Sequence, residues 1–191
     1  MKRGIMFLAG DIGGTRSRFY ALDNGKIVFE HVFPSRDYKN FGMIVEAFLK
    51  LSGMQFSKCV FGIAGVVIEG KCKTTNLPWE VSIEDIKKIL KVDEGYLIND
   101  LALLTYGVIA VDTHLLEVLQ AGEKKEGPIL LVCPGTGLGV AQATHTKMPL
   151  EIYPSESGHV DFAPITNQEI KLLEYFSSKF EHVSVERFVS G

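Results

Sequence analysis

A carboxylate lies near the middle of the chain at what reads as a strand-to-helix junction. Asn99 and Asp100 follow the apolar run at residues 96–98 and precede another apolar stretch. An Asp at this place could simply cap the helix. The adjoining amide is less easily explained by capping. An amide donates and accepts hydrogen bonds, and a carboxylate can take a hydroxyl proton. The pair therefore suits a polyhydroxylated ligand, with Asp100 as a candidate general base.

Two glycine-rich turns, each between apolar runs, could hold phosphate groups. Residues of the first are Gly10, Asp11, Ile12, Gly13, Gly14 and Thr15, and the second, residues 134–139, contains Gly135, Thr136 and Gly137. Glycines leave backbone N–H groups uncrowded for phosphate oxygens, and Asp11 could hold Mg²⁺ through water. One such turn alone would be read as a hairpin, and neither is a Walker loop. Two turns together with Asp100 indicate nucleotide-dependent phosphoryl transfer.

A third polar group lies late in the chain, where Glu156, His159 and Asp161 follow one another closely. Glu and His three residues apart, with Asp, could bind a metal, but no further clear ligand is near, so recognition of sugar hydroxyl groups is favoured. Glu186 alone would be read as a capping or surface acid. Trp79, the only tryptophan, is expected in the core, with a pocket wall as the alternative.

Composition narrows the class of protein. The chain has 191 residues, 46% of them hydrophobic, and a net charge of -3 without a basic run, which argues against nucleic acid or an anionic membrane surface as partner. Cys59, Cys72 and Cys133 form no CxxC pair, which argues against a disulfide framework or a structural zinc site. No segment has the roughly 20 apolar residues of a membrane span. We expect a cytoplasmic, globular protein that binds small molecules.

Hydrophobic periodicity gives the order of elements. The first half predicts strands at 5–9, 18–22 and 26–33, a helix around 41–49, a strand at 59–64, a helix N-capped by Ser82, a strand ending at Ile98 and a helix at 101–110. Residues 23–25 predict a hairpin turn. The second half predicts strands at 129–133, 140–145 and 151–153, then helices at 168–180 and from 184.

The two halves begin alike, which suggests two copies of one α/β unit. The expected domains are a small one at 1–111 and the beginning of a larger one at 112–191. Fewer residues remain for the second copy than the first occupies, so the second half is expected to be incomplete. Its uncovered sheet edge and apolar face would favour a homo-oligomer or a partner chain carrying the remainder.

Together these segments resemble the zinc-free bacterial glucokinase branch of the hexokinase superfamily. The resemblance covers nearly the whole chain and is carried by five ordered motifs, at 10–15, 97–100, 134–140, 156–164 and 182–187. It implies the ribonuclease H-like fold shared with actin and Hsp70, with mixed sheets in its two halves. It also implies ATP-dependent phosphorylation of glucose at the 6-hydroxyl.

The same resemblance assigns roles to residues. Asp100 would take the proton of the 6-hydroxyl. The first glycine turn would hold the ATP phosphates and Mg²⁺, and the second would close on the phosphates and the sugar. The remaining sugar hydroxyls would be bound by Asn99, Glu156, His159 and Glu186.

The chain departs from the family pattern at several places. Arg16 stands where Asn is usual, Ser157 stands where Gly is usual, and the cysteine cluster of the related ROK kinases is absent. Family members are also longer, and their remainder completes the large domain and supplies the adenosine pocket, so weak ATP binding is expected. A sugar-binding pseudokinase, an inactive glucokinase fragment and an actin-like or Hsp70-like ATPase remain as alternatives.

Overall fold

The computed structural model describes residues 6–74, 77–123, 125–144 and 150–191. The chain divides into two compact units, Met1–Leu103 and Leu104–Gly191. Each unit is described by itself below. The domain boundary suggested after residue 111 stays a prediction. Ile5, the first residue of the predicted strand 5–9, and His145, the last residue of the predicted strand 140–145, lie outside the described residues.

The elements of the first unit follow the predicted order with one addition. In chain order they are β1 (Met6–Ile12), β2 (Arg16–Asp23), β3 (Lys26–Pro34), α1 (Phe41–Ser52), β4 (Lys58–Ile63), β5 (Val67–Ile68), β6 (Lys71–Lys73), β7 (Glu80–Ser82), α2 (Ile83–Leu90), β8 (Glu94–Asn99) and α3 (Asp100–Ala110), which continues into the second unit. The small antiparallel sheet of β5, β6 and β7 was not predicted. Its strands of two or three residues are too short to show a period.

The main sheet of this unit has the strand order β3-β2-β1-β4-β8. The first three strands form an antiparallel meander, and β4 and β8 then join β1 in parallel. Asn24 and Gly25 take positive φ angles of 50° and 77°, which confirms the predicted hairpin turn between β2 and β3. Because β1, β4 and β8 run in parallel, Ile12, Ile63 and Asn99 stand in one register at the carboxyl edge.

An aromatic core holds the first unit together. Phe19 lies against Phe33, Phe41, Phe48 and Phe61 with ring centroids 5.2 to 6.0 Å apart. Such pairs stabilise beyond the area that they bury, by about 0.5–1.5 kcal/mol each. The core therefore fixes α1, which carries two of these rings, on one face of the sheet.

Two sequence predictions, one for Trp79 and one for Ser82, can be compared with the structure. Trp79 is 1% exposed and its Nε1 donates to the carbonyl oxygen of Tyr38 at 3.2 Å, so the core interpretation is confirmed. Ser82 occupies the predicted N-cap of α2, but within the described part of the chain its side chain makes no capping hydrogen bond. Its hydroxyl is therefore not the reason why α2 begins here.

The second unit repeats the opening meander. Strands β9 (Ile129–Pro134), β10 (Leu138–Ala143) and β11 (Ile152–Ser155) form an antiparallel sheet in the order β11-β10-β9. Two helices follow, α4 (Asn167–Ser177) and α5 (Glu186–Val189), and α5 is shorter than the pattern from Ser184 suggested. Thr166 and Glu169 form a capping box that starts α4.

Among the described residues of the second unit, few apolar side chains are buried. They are Ala141, Ala143, Leu150 and Val183. Leu130 and Val132, on one face of β9, are 63% and 51% exposed. Across the described residues, no helix is both long and apolar enough to cross a membrane.

Candidate functional site

Asp100 begins α3 directly after β8, at the carboxyl edge of the main sheet. Burial raises the pKa of its carboxyl above the ordinary value, and the nearby Asp11 carboxylate raises it further. The N–H of Leu101, which donates to Asp100 Oδ1 at 2.9 Å, acts in the opposite direction. A carboxylate with raised proton affinity is better suited to accept a proton from a hydroxyl group.

Asn99 caps α3, a role that sequence reasoning had considered for Asp100. Its Oδ1 accepts from the N–H groups of Leu101 at 3.0 Å and Ala102 at 3.2 Å. Its Nδ2 donates to the carbonyl oxygen of Gly65 at 3.1 Å. These bonds fix the start of the helix and so hold the neighbouring Asp100 in place.

The first glycine segment divides between a strand and a turn. Gly10, Asp11 and Ile12 end β1, and the Ile12 side chain is 1% exposed and belongs to the core. A Cβ on Gly10 would lie 2.6 Å from a ring carbon of Phe61, so close packing alone explains that glycine. Any phosphate contacts of this segment therefore fall mainly to Gly13, Gly14 and Thr15.

The turn formed by Gly13, Gly14 and Thr15 fits a phosphate group. The Gly13 N–H is used within the turn, where it donates to the Arg16 carbonyl oxygen at 3.0 Å. Among the residues that the structure describes, the N–H groups of Gly14 and Thr15 have no hydrogen-bond acceptor. Uncrowded N–H groups in a turn form a concave site for anions.

Ser35, which was not predicted from the sequence, holds this turn in place through hydrogen bonds. Its hydroxyl donates to the Gly13 carbonyl oxygen at 2.8 Å, and its N–H donates to the Thr15 carbonyl oxygen at 3.0 Å. The Ser17 Oγ and Ser35 Oγ atoms lie 2.9 Å apart and share a hydrogen bond, and both serines are fully buried. Strand alternation places Ser17 inward, which was the one available signal, whereas nothing in the local pattern around Ser35 indicated this role.

Asp11 has a cation beside it. Arg18 stands directly opposite on β2 and its Nη1 lies 3.1 Å from Asp11 Oδ2. The Asp11 side chain is 47% exposed and the Arg18 side chain 45%, so the carboxylate still faces solvent. Its remaining lone pairs can accept from the water shell of Mg²⁺, and the residue therefore fits an indirect ligand of that ion.

In the second unit, Glu186 reaches the second glycine turn. Its Oε2 accepts from the N–H of Leu138 at 2.7 Å. A Cβ on Gly137 would lie only 2.7 Å from the same oxygen, so a side chain at 137 would push the carboxylate away. Within the turn, the Gly135 N–H donates to the Gly137 carbonyl oxygen at 2.8 Å. Thr136, at the tip, is exposed.

His159 connects the two predicted carboxylates of this unit. Its Nε2 lies 3.7 Å from Glu156 Oε2 and its Nδ1 lies 3.7 Å from Glu186 Oε1. Gly158 permits this arrangement, because a Cβ there would come within 2.1 Å of the Leu138 carbonyl oxygen. Two carboxylates and an imidazole supply the mixed donors and acceptors that a polyhydroxylated ligand needs.

The metal alternative for this segment gains no support from geometry. Within the described ranges, no cluster of three His, Cys, Asp or Glu side chains is placed to hold a metal ion. Asp161 Oδ1 lies 2.7 Å from His182 Nε2, at hydrogen-bond distance. The sequence analysis had placed Asp161 in one polar group with Glu156 and His159, whereas it gave His182 no role of its own.

The fold and the two turns define an α/β protein of the ribonuclease H-like class, the fold of actin and the hexokinases. A glucokinase from an Antarctic psychrotroph superposes with a TM-score of 0.82 at 29% identity, over 99% of this chain and 62% of that one. The sequence profile of the Glucokinase family matches residues 8–191, and the chain belongs to that family.

Two curated relatives show how much of the family this chain represents. A glucokinase of Nostoc sp. is 36% identical over 196 residues, which are 97% of this chain and 57% of the relative. A glucokinase of Neisseria meningitidis is 34% identical over 194 residues, with coverage of 98% and 58%. The chain thus spans little more than half the length of these relatives.

A second solved structure supports the fold alone. It is a glucokinase from Balamuthia mandrillaris in complex with glucose, with a TM-score of 0.71 at 21% identity, over 98% of this chain and 60% of that one.

Proposed function

We propose that this chain provides the sugar site and the catalytic base of an ATP-dependent glucose kinase that forms glucose 6-phosphate. Membership of the Glucokinase family carries the proposal. Asp100, with its raised pKa, and the cluster around His159 supply the chemistry that this activity requires.

The sugar hydroxyls are bound by Glu156, His159 and Glu186, with Asn99 offering its remaining amide hydrogen. The two carboxylates accept hydrogen bonds from sugar hydroxyl groups, while the imidazole either donates or accepts one. A buried hydroxyl without a partner costs about 1–3 kcal/mol, which is why a glucose site needs several such groups. The cluster of Glu156, His159 and Glu186 also argues against the actin-like or Hsp70-like alternative, because an ATPase of that kind does not require a sugar site.

Asp100 would accept the proton of the 6-hydroxyl as that oxygen forms its bond to the γ-phosphorus of ATP, while the bond between this phosphorus and the bridging oxygen breaks and ADP leaves. A positioned base of this kind contributes about 100- to 10,000-fold to the rate. Asn99 maintains the geometry by capping α3. In each phosphate turn the glycines leave the neighbouring backbone N–H groups uncrowded by side chains.

The donor phosphates are held by Gly13, Gly14 and Thr15 from the first turn and by Gly135, Thr136 and Gly137 from the second. Gly10 and Ile12 contribute through their position in β1, and Asp11 binds Mg²⁺ through water. Bound ATP with Mg²⁺ would supply the phosphoryl group and offset its charge. The unpaired N–H groups of Gly14 and Thr15, noted above for the described chain, support this assignment.

The exposed apolar face of β9 supports the further proposal that the protein self-associates. Leu130 and Val132 both lie on this face, and β9 is an edge of its sheet. All three cysteines are free, in accord with a reducing compartment, and we assign the activity to the cytoplasm.

The test is glucose-dependent release of ADP from Mg-ATP by this chain, by Asp100→Ala and by the control Asp112→Ala. We expect turnover that Asp100→Ala abolishes and the control keeps. Glucose binding by calorimetry is measured in parallel. Binding without turnover would leave the sugar site and remove the kinase assignment for the chain alone, and loss of both would overturn the proposal.

A further inference from the structure

Two segments that carry the proposed sugar ligands are joined side by side in the second unit. Asp161 and Ser184 form an isolated antiparallel bridge. The Phe162 N–H donates to the Val183 carbonyl oxygen and the Val185 N–H to the Val160 carbonyl oxygen, both at 3.0 Å. One segment follows His159 directly and the other precedes Glu186. The bridge therefore sets where these two side chains meet.

One pair of side chains, Asp161 and His182, also joins the two segments. His182 Nε2 lies 2.7 Å from Asp161 Oδ1. The His182 and Asp161 side chains are 57% and 89% exposed. Exposed pairs of this kind add little to the free energy of folding. A short contact at such a place has more effect on local geometry than on stability.

The contacts that Glu186 makes next to this bridge are close. Glu186 is held to the Leu138 N–H at 2.7 Å and stands 3.7 Å from His159. The contact of Gly158 with the Leu138 carbonyl oxygen fixes the other side of the cluster. A shift of about 1 Å between the joined segments is enough to open these contacts, and misplacement on that scale can lower a catalytic rate about 100-fold.

We propose that Asp161 and His182 are positioning residues that set the separation of His159 and Glu186 and thereby the affinity for the sugar. This inference rests on the proposed function for its ligand. It goes beyond that function in assigning a role to two residues outside the sugar contacts and the phosphate turns.

The experiment compares the full chain with Asp161→Ala, His182→Ala and the double variant. An exposed His–Asp pair elsewhere in the same unit, His114 and Asp112 at 2.8 Å, supplies the matched control His114→Ala. Glucose affinity is measured by calorimetry, stability by urea unfolding, and the Leu138 amide proton by ¹H–¹⁵N spectroscopy. The amide reports its hydrogen bond to Glu186 without any ligand.

We expect each single variant and the double variant to weaken glucose binding by about tenfold, because residues that act through one contact are not additive. The Leu138 amide should shift and exchange faster, while the unfolding midpoint stays close to that of the control. His182→Gln, which keeps an N–H donor, should restore most of the affinity. A purely structural role would move stability instead and would not be rescued in this way.

The two proposals fail separately. Unchanged Leu138 amide signals in both single variants would overturn the positioning role, whether or not glucose binds. If the wild-type chain binds no glucose, the proposed function falls, and the amide signals alone then decide the inference.

Discussion

At the scale of single residues, Asp100 combines two properties that oppose each other. Burial and the Asp11 carboxylate raise its pKa, so ionising it in the folded protein is unfavourable. The same raised proton affinity suits a base that must take a proton from a hydroxyl group. Active sites often retain such groups at a cost to folding stability.

Asp100→Asn should therefore lower kcat by about 100- to 10,000-fold and stabilise the fold at neutral pH. Because its pKa is higher in the folded state, the wild-type carboxyl favours folding below its unfolded pKa and loses that contribution as the pH rises through the folded value. The stabilisation by Asn should thus be present at pH 7 and vanish below about pH 4. Urea unfolding at both pH values, with Asp112→Asn as control, measures it. An equal difference at both would contradict the assignment.

Glu186 gives a second prediction at this scale. Glu186→Gln keeps an acceptor for the Leu138 N–H but loses the charge, whereas Glu186→Ala leaves that N–H without its partner. Glucose affinity should fall by about tenfold in the first variant and about 100-fold in the second, in line with hydrogen bonds to charged groups. Calorimetry measures both, and Glu181→Gln is the control. Equal affinities in the Gln and Ala variants would show that the contact with Leu138 is irrelevant.

Residue patterns predicted part of this candidate site, and the rest could not be predicted for a physical reason. Residues with distinctive chemistry, such as Asp100 and Asn99, could be proposed because carboxylates and amides stand out at strand ends. The hydrogen bonds of Asn99 and Ser35 to backbone groups of Gly65 and Gly13 were not predicted, because these partners are far away in sequence. No local pattern contains that information. The same holds for the pairing of His182 with Asp161.

At the scale of elements, packing against β10 determines where the turn containing His159 lies. Gly158→Ala would place a Cβ 2.1 Å from the Leu138 carbonyl oxygen, which is backbone and cannot rotate away. We expect a loss of about 1–3 kcal/mol in stability and a larger loss of glucose affinity. Urea unfolding and calorimetry measure the two effects.

Gly122→Ala is the matched control for this change, because a Cβ there meets no atom of the described residues within 4 Å. It should leave both stability and affinity near the wild-type values. If Gly158→Ala behaved in the same way, the turn would not depend on its contact with β10.

Element prediction succeeded where periods were long and failed where they were short. Strands such as β2 and helices such as α1, which span 8 and 12 residues in the structure, were predicted because each contains an apolar run or a hydrophobic period long enough to recognise. The small sheet of β5, β6 and β7 was not predicted, and Ser82, although it occupies the predicted N-cap position, makes no capping hydrogen bond with its hydroxyl within the described chain. Both outcomes depend on tertiary contacts.

At the scale of the whole molecule, the apolar face of β9 predicts association. Leu130→Ser combined with Val132→Ser should shift the protein toward monomer, because the change removes apolar surface at an edge strand. Sedimentation over a range of concentrations measures this. Ile27→Ser, at a residue 57% exposed on β3, is the control. A wild-type chain that stays monomeric at high concentration would refute the proposal.

The aromatic core of the first unit also has a consequence for synthesis. All of its rings, from Phe19 to Phe61, precede the end of that unit at Leu103. A ribosome adds about 5–20 residues per second, which is slow compared with the folding of a small α/β unit. The N-terminal unit is therefore able to fold on the nascent chain before the segment with Glu156 and Glu186 has been translated, so its folding does not have to wait for the residues of the second unit.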